Sequence, residues 1–96
     1  MEQITEQKPS VDVIEEEDTT AGTENRVVLY NDDWHTFDEV IVQLIKAINC
    51  AYDKARSYAF EVHTKGKAIV FSGSIKECLK VSSVLEEIAL NTQIIT

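Results

Sequence analysis

Asn31, Asp32 and Asp33 stand side by side after an apolar run. The stretch "VVLYNDDWHTFDEV", residues 27 to 40, then continues through Trp34, His35 and Phe37 into a helix start. Amide and carboxylate oxygens at this density are acceptors suited to a compact cation with several donors, such as a primary ammonium. They are equally ordinary turn formers, because Asn and Asp bond to their own backbone and tolerate turn geometry. The second histidine, His63 in "EVHTKG", reads alone as a structural imidazole near a helix end as readily as a ligand contact. His35 reads as a loop residue, and Asp33 as a helix-entry residue favoured by the positive end of the helix.

Two other chemistries use the same residue types. A thiolate from Cys50 or Cys78, activated by His63 and oriented through Asn31 or Asp32, would make a nucleophile. Both cysteines fall at apolar helical positions, where a small hydrophobe is the usual explanation. A metal site from His35, His63, Cys50 and Cys78 would need a convergence that their spacing does not suggest. The expectation is therefore a chain that is not an enzyme, with no catalytic residue, no metal and no cofactor.

The elements that must position these groups follow from pattern. "RVVLY" is a β-branched run bounded by turn formers, a strand. Thr36 and Glu39 have the spacing of a capping box, which satisfies free amides at a helix start. Phe37, Val40, Ile41, Leu44, Ile45 and Ile48 then recur at helical spacing, and Asn49 with Cys50 interrupts them. A second helix runs from about Tyr52 to His63 through Ala55, Arg56, Tyr58, Ala59 and Val62, with Gly66 placed for a left-handed cap. "KAIVFSG" reads as a strand. Ser74 and Glu77 repeat the capping spacing and open a third helix, whose buried side is marked by Ile75, Cys78, Leu79, Val81, Ser82, Leu85 and Ile88. "TQIIT" suffices for a short strand. The order β-α-α-β-α-β predicts an α+β fold, helices packed on a short three-stranded sheet, antiparallel or mixed.

The chain has 96 residues, room for one small domain and one shallow site. Residues 1 to 25 hold eight acids and one lysine, whereas residues 26 to 96 are close to neutral. An acidic arm without aromatics, containing the only proline, cannot bury enough surface to offset its ordering entropy, and is read as disordered. The folded body is then 26–96. Nothing in this charge balance favours nucleic acid. Two cysteines, no signal-peptide pattern and no apolar run near the ~20 residues needed to span a bilayer predict a soluble, cytoplasmic protein.

"LYNDDWHTFDEVI", followed by "EVHTKGKAIVFSG" and a third amphipathic helix, resembles the ClpS family of adaptors that deliver N-degron substrates to Clp proteases. The likeness covers roughly Arg26 to Ile94. It lies in the order and separation of short motifs, each weak alone. The resemblance implies that Asn31, Asp32 and His63 hold a substrate's free α-amino group, and that Phe37, Val40, Ala59 and Val62 line the apolar pocket for its first side chain. It implies a large hydrophobic first residue, and as partner a AAA+ Clp unfoldase of the ClpA or ClpC type with its peptidase. The N-terminal arm would be engaged during transfer, and the adaptor is expected to be a monomer. The other reading is an interaction module that docks through its helical face with no preference for chain termini.

Departures from the family pattern bear on selectivity. His35, Thr36 and Phe37 stand where the family often has Thr-Pro-Met, and Ala59 stands where a methionine usually narrows the pocket. Phe37 is expected to reach into the volume vacated at Ala59. The third helix lacks the family's usual Glu and Lys contact pattern.

Overall fold

The computed structural model describes residues 25–96. Six elements follow in the expected order: β1 (Asn25–Tyr30), α1 (Phe37–Ile48), α2 (Tyr52–Lys65), β2 (Lys67–Gly73), α3 (Ile75–Glu86) and β3 (Asn91–Ile95). The sheet order is β2-β1-β3. Both pairings are antiparallel, which resolves the mixed alternative. The register of β1 against β2 slips between Val27 and Val28. Such a bulge leaves one residue unopposed and increases local twist.

Both capping boxes form. Thr36 and Ser74 each accept from the backbone amide three residues on, and Glu39 and Glu77 reach back to the cap amides. The first two helices end in left-handed caps, Asn49 at φ 53° and Gly66 at φ 90°. Only a residue that tolerates positive φ can turn the chain this tightly from α2 into β2.

Val27 and Leu29 of β1, Ile41 and Leu44 of α1, Ala55, Ala59 and Val62 of α2, Val70 of β2 and Cys78 and Leu85 of α3 form one core. Gln43 is buried with it, its amide donating to the Val84 carbonyl at 2.6 Å and so tying α1 to α3. Two expectations are corrected here. Asn25 belongs to β1 rather than to the arm: it is buried, and its amide nitrogen donates to the Gly73 carbonyl at 3.3 Å. Ile75 and Leu79 lie on the outer side of α3, exposed by 44% and 57%, because the sheet meets the stripe of Cys78, Val81, Ser82 and Leu85 instead. On α2, Tyr52 and Arg56 are exposed and Ala55, Ala59 and Val62 face the core. The remainder of the acidic arm, residues 1 to 24, lies outside the described residues.

Beyond α3 the chain turns through Ala89, which has φ 62°. A left-handed alanine costs about 1 kcal/mol or more, so this turn is held by its surroundings. Leu90, which the sequence pattern did not mark, is buried directly after it.

Candidate functional site

The end of β1, the loop into α1, the first turns of α1 and the last turns of α2 surround a hollow of about 470 Å³. Asn31, Asp32 and His63 line it, and so do Phe37, Val40, Ala59 and Val62. All seven residues that the family resemblance singled out meet at one place, although the eighteen residues 41–58 separate the two contributing segments. Asp33, His35 and Thr36 complete the lining.

What joins the segments is main chain. The Asn31 amide donates to the Gly66 carbonyl at 2.9 Å, fastening the strand end to the cap of α2. His63 sits exposed in the last turn of that helix, one turn ahead of Gly66. Ala59 and Val62 are buried behind it, 3% exposed each, while Val40 is half-buried and Phe37 is 36% exposed. The hollow thus has a polar rim at one side and an apolar floor at the other.

Asp32 is both a turn former and a rim residue. Its Oδ1 accepts from the amides of Trp34 at 3.1 Å and His35 at 2.9 Å, and its Oδ2 receives His35 Nδ1 at 2.5 Å. A carboxylate has about four lone-pair positions, so one remains on Oδ2 for a further donor. Burial pushes the carboxyl upward, but the two amides and the His35 ring outweigh it, and Asp32 lies below the usual aspartate range. It is anionic at neutral pH, and one of its oxygens can still accept.

His35 lies in the loop between β1 and α1, as expected, but its side chain is not solvated. Its side chain is 3% exposed. Beyond Asp32, its Nε2 bonds the Ile88 carbonyl at 2.5 Å, and the Trp34 ring lies over it with centroids 3.8 Å apart. Burial works to lower the ring's pKa, yet the Asp32 carboxylate and the Ile88 carbonyl prevail and raise it above the ordinary imidazole value. The spacing Asp-x-x-His is a local signal for the first contact. Nothing in the sequence announces the second, which comes from 53 residues downstream.

The alternatives fare differently. Cys78 is fully buried in the core, and burial pushes its thiol up, away from the thiolate a nucleophile needs. Cys50 is half-buried and unpaired with Cys78. Among the described residues no group of three His, Cys, Asp or Glu side chains is placed to hold a metal ion. No helix among them is long and apolar enough to cross a membrane.

Comparison with known proteins bears on the same region. The family model described as "ATP-dependent Clp protease adaptor protein ClpS" matches residues 21–93. Among curated proteins, the E3 ubiquitin-protein ligase UBR1 of Drosophila melanogaster is 33% identical over 76 residues, which are 78% of this chain and 4% of that protein. The human E3 ubiquitin-protein ligase UBR2 is 36% identical over 58 residues, 60% of this chain and 3% of that one. The chain therefore spans only a small fraction of these relatives. The structure of Agrobacterium tumefaciens ClpS2 bound to L-phenylalaninamide superposes with a TM-score of 0.69 at 21% identity, covering 77% of this chain and 96% of the other. At that identity the likeness establishes the fold.

Proposed function

The chain belongs to the ClpS family of Clp protease adaptors, and from that premise we propose that its hollow receives the first residue of a polypeptide with a free, charged N-terminus. The α-ammonium lies among Asn31, Asp32 and His63, and a large hydrophobic first side chain lies against Phe37, Val40, Ala59 and Val62. The observation that carries this reading is the meeting of those two chemistries, polar acceptors and an apolar floor, in one hollow. An ammonium offers three donors and a charge, which an internal peptide nitrogen lacks. Selection of chain ends follows.

Burial of an aromatic or leucine side chain contributes about 1.5 to 3 kcal/mol, and each charged hydrogen bond about 1.5 to 3 kcal/mol. Less the cost of association, this supports affinity in the micromolar range, as a carrier that must release its load requires. Calorimetry with one Phe-initiated peptide, free and N-acetylated, tests the mode. Strong binding of the free form and loss of it on acetylation is the expected pair of results; equal affinities would remove it.

In this reading the chain is a non-catalytic, monomeric, cytoplasmic adaptor. It passes its captured protein to a AAA+ Clp unfoldase of the ClpA or ClpC type, and the acidic arm ahead of β1 takes part in that transfer. A second reading concerns only the destination. The relatives that are 33 to 36% identical are ubiquitin ligases, so the same capture site would also serve as the recognition module of a ligase. Transfer of a Phe-initiated reporter to a purified Clp unfoldase and its peptidase separates the two: stimulated degradation supports the adaptor, and binding without any stimulation supports the ligase module.

A further inference from the structure

Each ring nitrogen of the nearly sealed His35 meets an oxygen at 2.5 Å: Nδ1 meets Asp32 Oδ2, and Nε2 meets the Ile88 carbonyl. A carbonyl oxygen has no hydrogen to give, so Nε2 must be the donor. If Nδ1 were then bare, its lone pair would face a carboxylate lone pair in a site with little water. The geometry needs a second proton between Nδ1 and Oδ2. Asp32 and His35 accordingly share charge as an imidazolium–carboxylate unit and titrate together.

The other charged groups nearby do not duplicate this bond. Glu39, in the first turn of α1, is committed to the Thr36 amide. Asp33 and His63 lie on the rim of the same hollow. From the end of α3, Glu87 is held by Lys46 and Gln43, and Glu86 accepts from Ser82 and Thr92. The ring also sits against the turn that contains the left-handed Ala89, a strained segment that its surroundings must fix.

We propose that His35 is a positioning residue of the amine site: its doubly protonated ring bridges the Asp32 carboxylate and the Ile88 carbonyl, holding Asp32 in one rotamer at the rim and stapling the recognition loop to the turn after α3. The role rests on the reading in which Asp32 meets the substrate ammonium. Deprotonation of the ring breaks the Nδ1–Oδ2 arm of the bridge and loosens the Oδ2 side of Asp32, while Oδ1 stays held by the Trp34 and His35 amides. Binding of a charged N-terminus and protonation of His35 are then linked through the carboxylate they share.

Nitrogen-15 NMR of the ring in the full chain tests the bridge without any peptide. His35 should keep both nitrogens protonated to a higher pH than a free imidazole does; a ring that loses its second proton at or below the ordinary imidazole pKa would overturn the proposal. Calorimetry then tests the link. His35→Gln should weaken binding of a Phe-initiated peptide on the order of ten-fold. On the alkaline side the affinity profile of the wild type should carry two deprotonations, ring and peptide amine, and that of the variant the amine alone. Equal affinities and equal pH profiles would refute the role. Should the variant fail to fold, saturating peptide must shift the ring titration of the wild type, and an unmoved titration is refuting. A wild-type chain that binds no Phe-initiated peptide would bring down the amine site itself, and the positioning role with it, even with the protonated bridge still visible by NMR.

Discussion

Asn31 and Gly66 are joined main chain to main chain: the amide that begins the polar rim donates to the carbonyl of the residue that ends α2. Through this bond the cap of one helix sets the distance between Asn31 on the strand and His63 on the helix.

Gly66 tests that dependence. It has φ 90°, and a side chain added there would meet nothing within 4 Å, so the strain of Gly66→Ala is conformational alone. The variant should lose about 1 kcal/mol of stability, read as a lowered urea midpoint. Binding of Phe-initiated peptides should weaken with it, because the carbonyl that anchors Asn31 moves; unchanged stability would show that the cap relaxes freely.

Selectivity is the next consequence. Phe37 and Ala59 face the same hollow from α1 and α2, an aromatic wall opposite a small one. Affinities for peptides beginning with Phe, Tyr, Trp, Leu, Ile and Val should rank differently in the wild type and in a Phe37→Met, Ala59→Met double variant. Added volume at buried Ala59 costs about 1 to 3 kcal/mol by overpacking, so stability is measured alongside. An identical ranking would leave the two positions without a part in selection.

The Asp32–His35 pair makes stability depend on pH. Asp32 is lowered when folded, so its contribution is present above the ordinary carboxylate pKa and is lost as pH falls through the lowered folded value. His35 is raised when folded, so its contribution is full below the ordinary imidazole pKa and is lost as pH rises through the raised folded value. The pair should therefore stabilise most between about pH 4 and pH 6.5. Urea midpoints measured across that range and on both sides should show a maximum that His35→Gln flattens.

Deletion of residues 1–24 separates capture from transfer. The site is built entirely from residues 31 to 63 and their supports, so peptide affinity should stay within about two-fold of the full chain, a margin of about 0.4 kcal/mol. Stimulation of degradation by a Clp unfoldase should fall. If stimulation survives intact, the acidic arm has no part in delivery.

The order of elements and the capped starts of α1 and α3 were legible in the chain. Those signals are local: Thr36 with Glu39, Ser74 with Glu77, a glycine where α2 must stop, and apolar residues at the period of the element that buries them. Tertiary structure decided what local spacing cannot encode. Which stripe of α3 meets the sheet left Ile75 and Leu79 outside, because docking against β1 and β3 chooses between adjacent apolar rows. Asn25 entered the strand because Gly73 offers it a partner 48 residues away. His35 became a buried bridge because a turn after α3, 53 positions downstream, brings the Ile88 carbonyl against it. Only the folded chain could supply that oxygen, since a backbone carbonyl carries no mark in the sequence of where it will point.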